Sequence, residues 1–209
     1  MAKQKTGYLK MNVEITFIEG VLGTMPRDPL VAEKFLTTET GGAFPDDQAA
    51  ALGVAIKDQG DDDLKGPPPT IFCRNTEGQL ILWDYQIKGF LKDALGAFYR
   101  MEGKAFSAYK KIVDSLIFVA PRQIPLILPE GKEPGWCERS IRVGGPKGER
   151  VALALSEEAP KGTKFECTFT CLRDDLLNWV ERCLDYGEVR GIGQWRNSGK
   201  GRLSWRDLG

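Results

Sequence analysis

Histidine is absent from all 209 residues. That removes imidazole general acid–base catalysis, histidine-containing triads and His-ligated metals at one stroke. Net charge is also missing: 29 Lys and Arg balance 29 Asp and Glu. No apolar run approaches the roughly 18 residues that span a bilayer. The first residues, Met1 to Gly7, lack the apolar core of a signal peptide. The five cysteines are odd in number and contain no C-x-x-C, so reduced thiols in a cytoplasmic protein are the expectation. No motif asks for a cofactor or a metal. Asp61 to Asp63 puts three carboxylates in a row, which reads as solvated charge in a polar run.

What the chain does have is glycine at a particular spacing. Gly191, Gly193, Gly199 and Gly201 form G-x-G-x5-G-x-G, and Gln194, Trp195, Arg196, Asn197, Ser198, Lys200 and Arg202 stand among and after them. Glycine reaches positive φ and lets a ligand approach the backbone without a Cβ in the way. Free N–H groups in such a loop suit phosphate oxygens. From Arg190 to Arg206 there are five basic residues and no acidic one, a local footprint for a polyanion in an otherwise neutral chain. Trp195 offers a flat face for a base. The loop is neither a Walker A sequence nor G-x-G-x-x-G.

Further upstream, Ile71 to Arg74 and the run Gln79 to Trp83 flank Asn75-Thr-Glu-Gly78, a hairpin signature. A helix follows from about Tyr85 to Met101, with Ile87, Phe90, Leu91, Ala94, Leu95, Phe98 and Met101 on one stripe. Lys88, Lys92 and Asp93 fall off that stripe. Gly89 and Gly96 each cost about 1 kcal/mol against alanine inside a helix, so close packing or a close ligand is the expected reason for them.

Together the loop and the hairpin–helix junction resemble the RAMP superfamily, the RNA-binding backbone and guide-RNA-processing proteins of CRISPR systems. That family carries a C-terminal G-x-G, about five residues rich in Arg, Ser and Asn, and a second G-x-G before a basic residue or strand. It also opens its first helix with P-G-S-S-L-K-G-x-x-R. Here Lys88 and Gly89 fall on the Lys-Gly, Lys92 replaces the Arg, and Asp84-Tyr-Gln departs from Pro-Gly-Ser-Ser. The resemblance implies a divergent, CRISPR-associated relative, of host or phage origin, with the glycine loop lying over the sheet beside the first helix.

The remaining elements alternate between strands and helices. Lys10 to Glu19 has strand periodicity. Asp28-Pro29 opens a short helix to about Leu36. Residues 37–69 turn polar, with an alanine-rich stretch from Asp46 to Lys57 and an acidic, proline-rich end, and read as a mobile insertion on a single domain spanning 1–209. Lys104 to Asp114 is expected to be helical, and Ser115 to Val119 and Gln123 to Leu128 to be strands. Arg139 to Val143 and Arg150 to Leu155 form a hairpin. Lys164 to Cys171 alternates sharply, with Phe165, Cys167, Phe169 and Cys171 on the apolar side. That assigns both thiols to the core. Arg173 to Tyr186 is an amphipathic helix with Gly187 placed to end it. The pattern supports α+β, and with the resemblance a ferredoxin-like (RRM-like) β-α-β-β-α-β core with inserted hairpins and a helical or irregular insertion.

The leading expectation is a non-catalytic RNA-binding protein. A single-stranded or guide RNA would press against the four glycines and Gly89, with phosphates met by Arg196, Lys200, Arg202, Lys88 and Lys92, and a base on Trp195. Two rivals remain. One is a protein-interaction module, a RAMP mimic or a self-assembling subunit, favoured by neutral charge. The other is a metal-independent endoribonuclease using Tyr, Lys, Arg or an aspartate, for which Asp28, Asp84 and Tyr85 are available but not singled out by spacing.

Overall fold

A computed structural model of the chain describes residues 8–27, 69–102, 108–145 and 148–209. The alternation around Met11 becomes β1 (Leu9–Phe17), whose Met11, Val13, Ile15 and Phe17 are buried while Asn12, Glu14 and Thr16 face outward. The same period governs β11 (Lys164–Cys171), which runs antiparallel to β1 with Val13 opposite Cys167 and Ile15 opposite Phe165. Burial pushes the Cys167 thiol up to about 12 and the Cys171 thiol up to about 11. Both behave as small core residues.

β12 (Leu203–Asp207) flanks β1, and β7 (Ile117–Ala120) flanks β11, giving an antiparallel sheet of order β12-β1-β11-β7. Helix α1 (Asp84–Glu102) lies in the chain between β1 and β7, and α3 (Asp175–Arg190) between β11 and β12. That is β-α-β-β-α-β, a ferredoxin-like α+β arrangement. The helix stripes at Ile87, Leu91, Leu95, Leu176, Val180 and Leu184 share one core with the inner face of the sheet.

The insertions build two further sheets. One joins β2 (Val21–Leu22), β3 (Met25–Pro26), β4 (Thr70–Ile71) and the long hairpin of β9 (Gly135–Gly145) and β10 (Gly148–Ala159). The other joins β5 (Cys73–Arg74), β6 (Leu80–Trp83) and β8 (Gln123–Pro125). The β5–β6 turn is held by Asn75, whose Oδ1 accepts from the N–H groups of Glu77 (3.1 Å) and Gln79 (2.9 Å), with Gly78 at φ +79°. The expected helix from Asp28 and all of the insertion 37–69 except Pro69 lie outside the described residues. The ends on either side of that segment meet, since Arg27 N–H donates to the Pro69 carbonyl at 2.8 Å.

Several readings differ from expectation, among them the strand expected over Gln123 to Leu128, which ends at Pro125. Met101 is 70% exposed, because the last turn of α1 runs past the packed face. Ser115 is helical, within α2 (Tyr109–Leu116), and its hydroxyl donates to the Lys111 carbonyl one turn back at 2.6 Å. Residues 103–107 of that expected helix are outside the described set. Gly187 does not end α3. It lies inside the helix, where a Cβ would meet the Leu203 side chain at 2.9 Å, and Gly191 at φ +79° makes the stop.

Candidate nucleic-acid interface

The four loop glycines divide into two pairs with different surroundings. Gly191 and Gly201 are buried where the chain crosses itself: a Cβ on Gly191 would lie 2.6 Å from the Lys200 carbonyl oxygen, and one on Gly201 would lie 1.9 Å from that of Ile192. Ile192 N–H donates to the Gly201 carbonyl and Gly201 N–H to that of Gly20, both at 2.9 Å. Gly193 (φ +88°) and Gly199 (φ +84°) are half-exposed, with nothing nearer to an added Cβ than 3.5 Å and 3.8 Å. Between them Trp195 takes a left-handed conformation, φ 55° and ψ 33°, unusual for a residue with a bulky side chain. It starts the single 3₁₀ turn Arg196–Ser198, on which Asn197 and Ser198 are exposed.

This turn sits against the start of α1. Gln86 makes that start: its Oε1 accepts the Trp83 N–H at 2.7 Å, satisfying an otherwise orphaned donor as a capping-box glutamine does. Its Nε2 donates to Thr24 Oγ1 at 2.8 Å, tying α1 to the β2–β3 turn. Gln194 Nε2 reaches the same turn, donating to the Gly23 carbonyl at 3.2 Å. Between the three segments lies an open cleft of about 390 Å³. Its apolar lining comes from Leu22, Leu82, Phe90 and Ile192, and Tyr85, Gly89, Gly193 and Arg196 rim it. A Cβ on Gly89 would meet nothing within 4 Å. Among the described residues, the N–H groups of Gly193, Gln194, Trp195 and Arg196 make no backbone hydrogen bond, leaving four consecutive donors of the kind that gather an anion.

The positive charge of the loop is balanced in space by acids remote in sequence. Asp93 Oδ2 accepts from Arg196 Nη1 at 2.8 Å and from Arg190 Nε at 3.3 Å, and Arg190 Nη1 also donates to Asn197 Oδ1 at 2.5 Å. Lys200 Nζ pairs with Glu158 Oε1 at 2.6 Å. Arg202 Nε donates to the Glu188 carbonyl at 2.6 Å. Arg206 sits on the outer face of the sheet, where its hydrogen bond holds the Glu14 carboxyl below the usual carboxylate range.

Of the residues nominated from sequence, Gly89, Gly193 and Arg196 come together on the cleft, with Gln194 beside it. Trp195 is 39% exposed and has the Arg139 guanidinium 5.6 Å from its ring centre. Lys88 and Lys92 are not brought to the loop. Lys88 Nζ lies 5.1 Å from the centre of the Phe118 ring, and Lys92 pairs with Asp114 at 2.6 Å. Asp84 accepts the Tyr85 N–H at 2.9 Å, and Asp28 is outside the described residues.

Sequence reasoning missed Asp93, Arg139 and Glu158. Asp93 had a signal, standing one turn after Gly89 and therefore on the same side of the helix. The other two had none. Arg139 Nη2 donates to Gln194 Oε1 at 2.6 Å across 55 residues of chain, and Lys200 reaches Glu158 across 42.

No protein-family model matches the chain, and no curated protein matches its sequence. Solved structures do resemble it. A chain of the type III-B Cmr-beta complex bound to cognate target RNA superposes at TM-score 0.55 and 16% identity, covering 95% of this chain. This chain spans 59% of the length of that one. A chain of a type IV-B CRISPR complex superposes at TM-score 0.46 and 10% identity, covering 96% of this chain and 90% of the other, too loosely to bear on the fold. The first likeness speaks for the fold. Among the described residues, no helix is long and apolar enough to cross a membrane.

Proposed function

We propose that the chain is a non-catalytic RNA-binding protein of RAMP type that grips one strand, guide or target, in the cleft between the glycine loop and α1. One observation carries this reading: Gly89 and Gly193 leave backbone bare on the cleft beside Arg196 and four unpaired N–H groups. Guanidinium and unpaired amide donors are groups that hold a phosphate. The apolar floor suits a sugar or base face, and Trp195 takes a base on the side away from Arg139. Lys200 and Arg202 act next, once the strand extends along the loop. Lys88 and Lys92 hold α1 to Phe118 and Asp114 in this reading and do not touch the strand. The fold likeness to a chain of an RNA-bound complex supports the same assignment.

A second reading, an interaction module that assembles with a protein complex or with itself, is favoured by the neutralisation of the loop cations by Asp93 and Glu158. Titration of labelled oligouridylate at two salt concentrations separates the two. RNA binding gives a log–log salt slope of about −0.7 per phosphate contact, shallower when Arg196, Lys200 and Arg202 are replaced by alanine. An affinity and slope that ignore the triple substitution would remove the first reading. A nucleic-acid-free oligomer on size exclusion would support the second.

A further inference from the structure

We infer that Asp93 is a built-in competitor for the phosphate of the bound strand, a carboxylate latch that the strand must displace to use Arg196 and Arg190; this rests on the RNA-binding reading above. The geometry is that of an occupied anion site. One oxygen of Asp93 accepts from two guanidinium groups, at 2.8 Å from Arg196 and 3.3 Å from Arg190. Arg190 is steadied from a second direction by Asn197, on the 3₁₀ turn itself.

Asp93 is placed to meet an incoming strand. It lies four residues after Gly89 on α1, hence on the same side of the helix, and Gly89 rims the cleft. Its core-facing neighbours Phe90, Leu91, Ala94 and Leu95 are buried, whereas the side chains of Asp93, Arg190 and Arg196 keep 30%, 30% and 25% of their exposure. Water and a competing anion can therefore reach the pair. Arginine matches carboxylate and phosphate with the same planar fork, so a phosphodiester can take over its contacts without rebuilding the loop.

The latch has a consequence for selectivity. In the closed pairing the two arginines carry one net positive charge with Asp93, so a polyanion that offers phosphate alone meets a weakened attraction. A strand that also fills the apolar cleft and stacks on Trp195 gains enough to displace the carboxylate. The neutral balance of the whole chain and its basic loop fit together on these terms.

The test uses the full chain and fluorescein-labelled oligouridylate. Asp93→Asn and Asp93→Ala, two charge-removing variants that guard against misfolding of either, are expected to bind about 3- to 5-fold tighter, with the salt slope unchanged, since the wild type makes the same phosphate contacts once the carboxylate is displaced. Asp93→Glu keeps the carboxylate and is expected to bind as the wild type does. Adding Arg196→Ala to Asp93→Asn is expected to abolish the gain. Binding unchanged or weakened by both charge-removing variants, while Arg196→Ala weakens it, overturns the latch and leaves the RNA-binding reading standing. If neither Asp93→Asn nor Arg196→Ala changes binding, the RNA-binding reading falls with it.

Discussion

Gly201 and Ile192 stand so close that a Cβ on the glycine would lie 1.9 Å from the isoleucine carbonyl oxygen, while the Ile192 N–H donates to the Gly201 carbonyl at 2.9 Å. This contact closes the loop at its base. It also separates the glycine pattern into a structural pair, Gly191 and Gly201, and an accessible pair, Gly193 and Gly199.

Alanine substitution is expected to reveal that division. Gly201→Ala forces backbone apart and is expected to cost about 3 kcal/mol or more in urea unfolding. Gly199→Ala meets only the Arg202 Cδ at 3.8 Å and is expected to cost about 1 to 2 kcal/mol, the ordinary left-handed penalty. Equal losses at the two positions would contradict the assignment.

Gly89 allows the opposite experiment. Its Cβ would meet nothing within 4 Å, so Gly89→Ala is expected to raise stability by about 1 kcal/mol through helix propensity. The same methyl narrows the cleft and is expected to weaken binding of oligouridylate. A variant that is more stable and binds equally well would mean that no strand approaches α1 there.

Trp195→Ala is expected to lower affinity by about 1 to 3 kcal/mol, the range for a lost base–aromatic stack. The salt slope should stay where it was, since no phosphate contact is removed. A slope that falls together with affinity would show instead that the left-handed turn has collapsed.

Much of the fold was legible because burial imposes a period. Met11 to Phe17, Phe165 to Cys171 and the stripe from Ile87 to Leu95 each declared one buried face, and turn residues such as Asn75 and Gly78 marked the hairpin. The end of α3 was misread because Gly187 has the chemistry of a helix stop, yet it serves the packing of Leu203. The candidate site was legible as a loop and not as a charge distribution. Five cations between Arg190 and Arg206 look like an unopposed patch in the chain. In space Asp93, Glu158 and Glu14 answer four of them, and of these only Asp93, one turn after Gly89, left a mark in local sequence.

Buried thiols give the chain an alkaline limit. Burial raises Cys73 and Cys171 to about 11, and Cys167 and Cys183 to about 12, from an ordinary 9.0. Above pH 9 the unfolded chain therefore loses protons that the folded chain keeps. The contribution is fully present below that value and is lost as pH rises toward 11 to 12. Urea midpoints at about pH 8 and about pH 10.5 are expected to fall less in Cys183→Ala than in the wild type. An identical fall in both would exclude that thiol as a source.

Photocrosslinking of thiouridine-substituted oligouridylate, read out by mass spectrometry of the joined peptides, tests most directly where a strand lies. Crosslinks to Tyr85, Phe90 or Trp195, on the cleft and its turn, are the expected result. Crosslinks confined to the outer sheet face around Glu166 and Thr168, or to the β9–β10 hairpin, with none on residues 85–90 or 193–197, would contradict it.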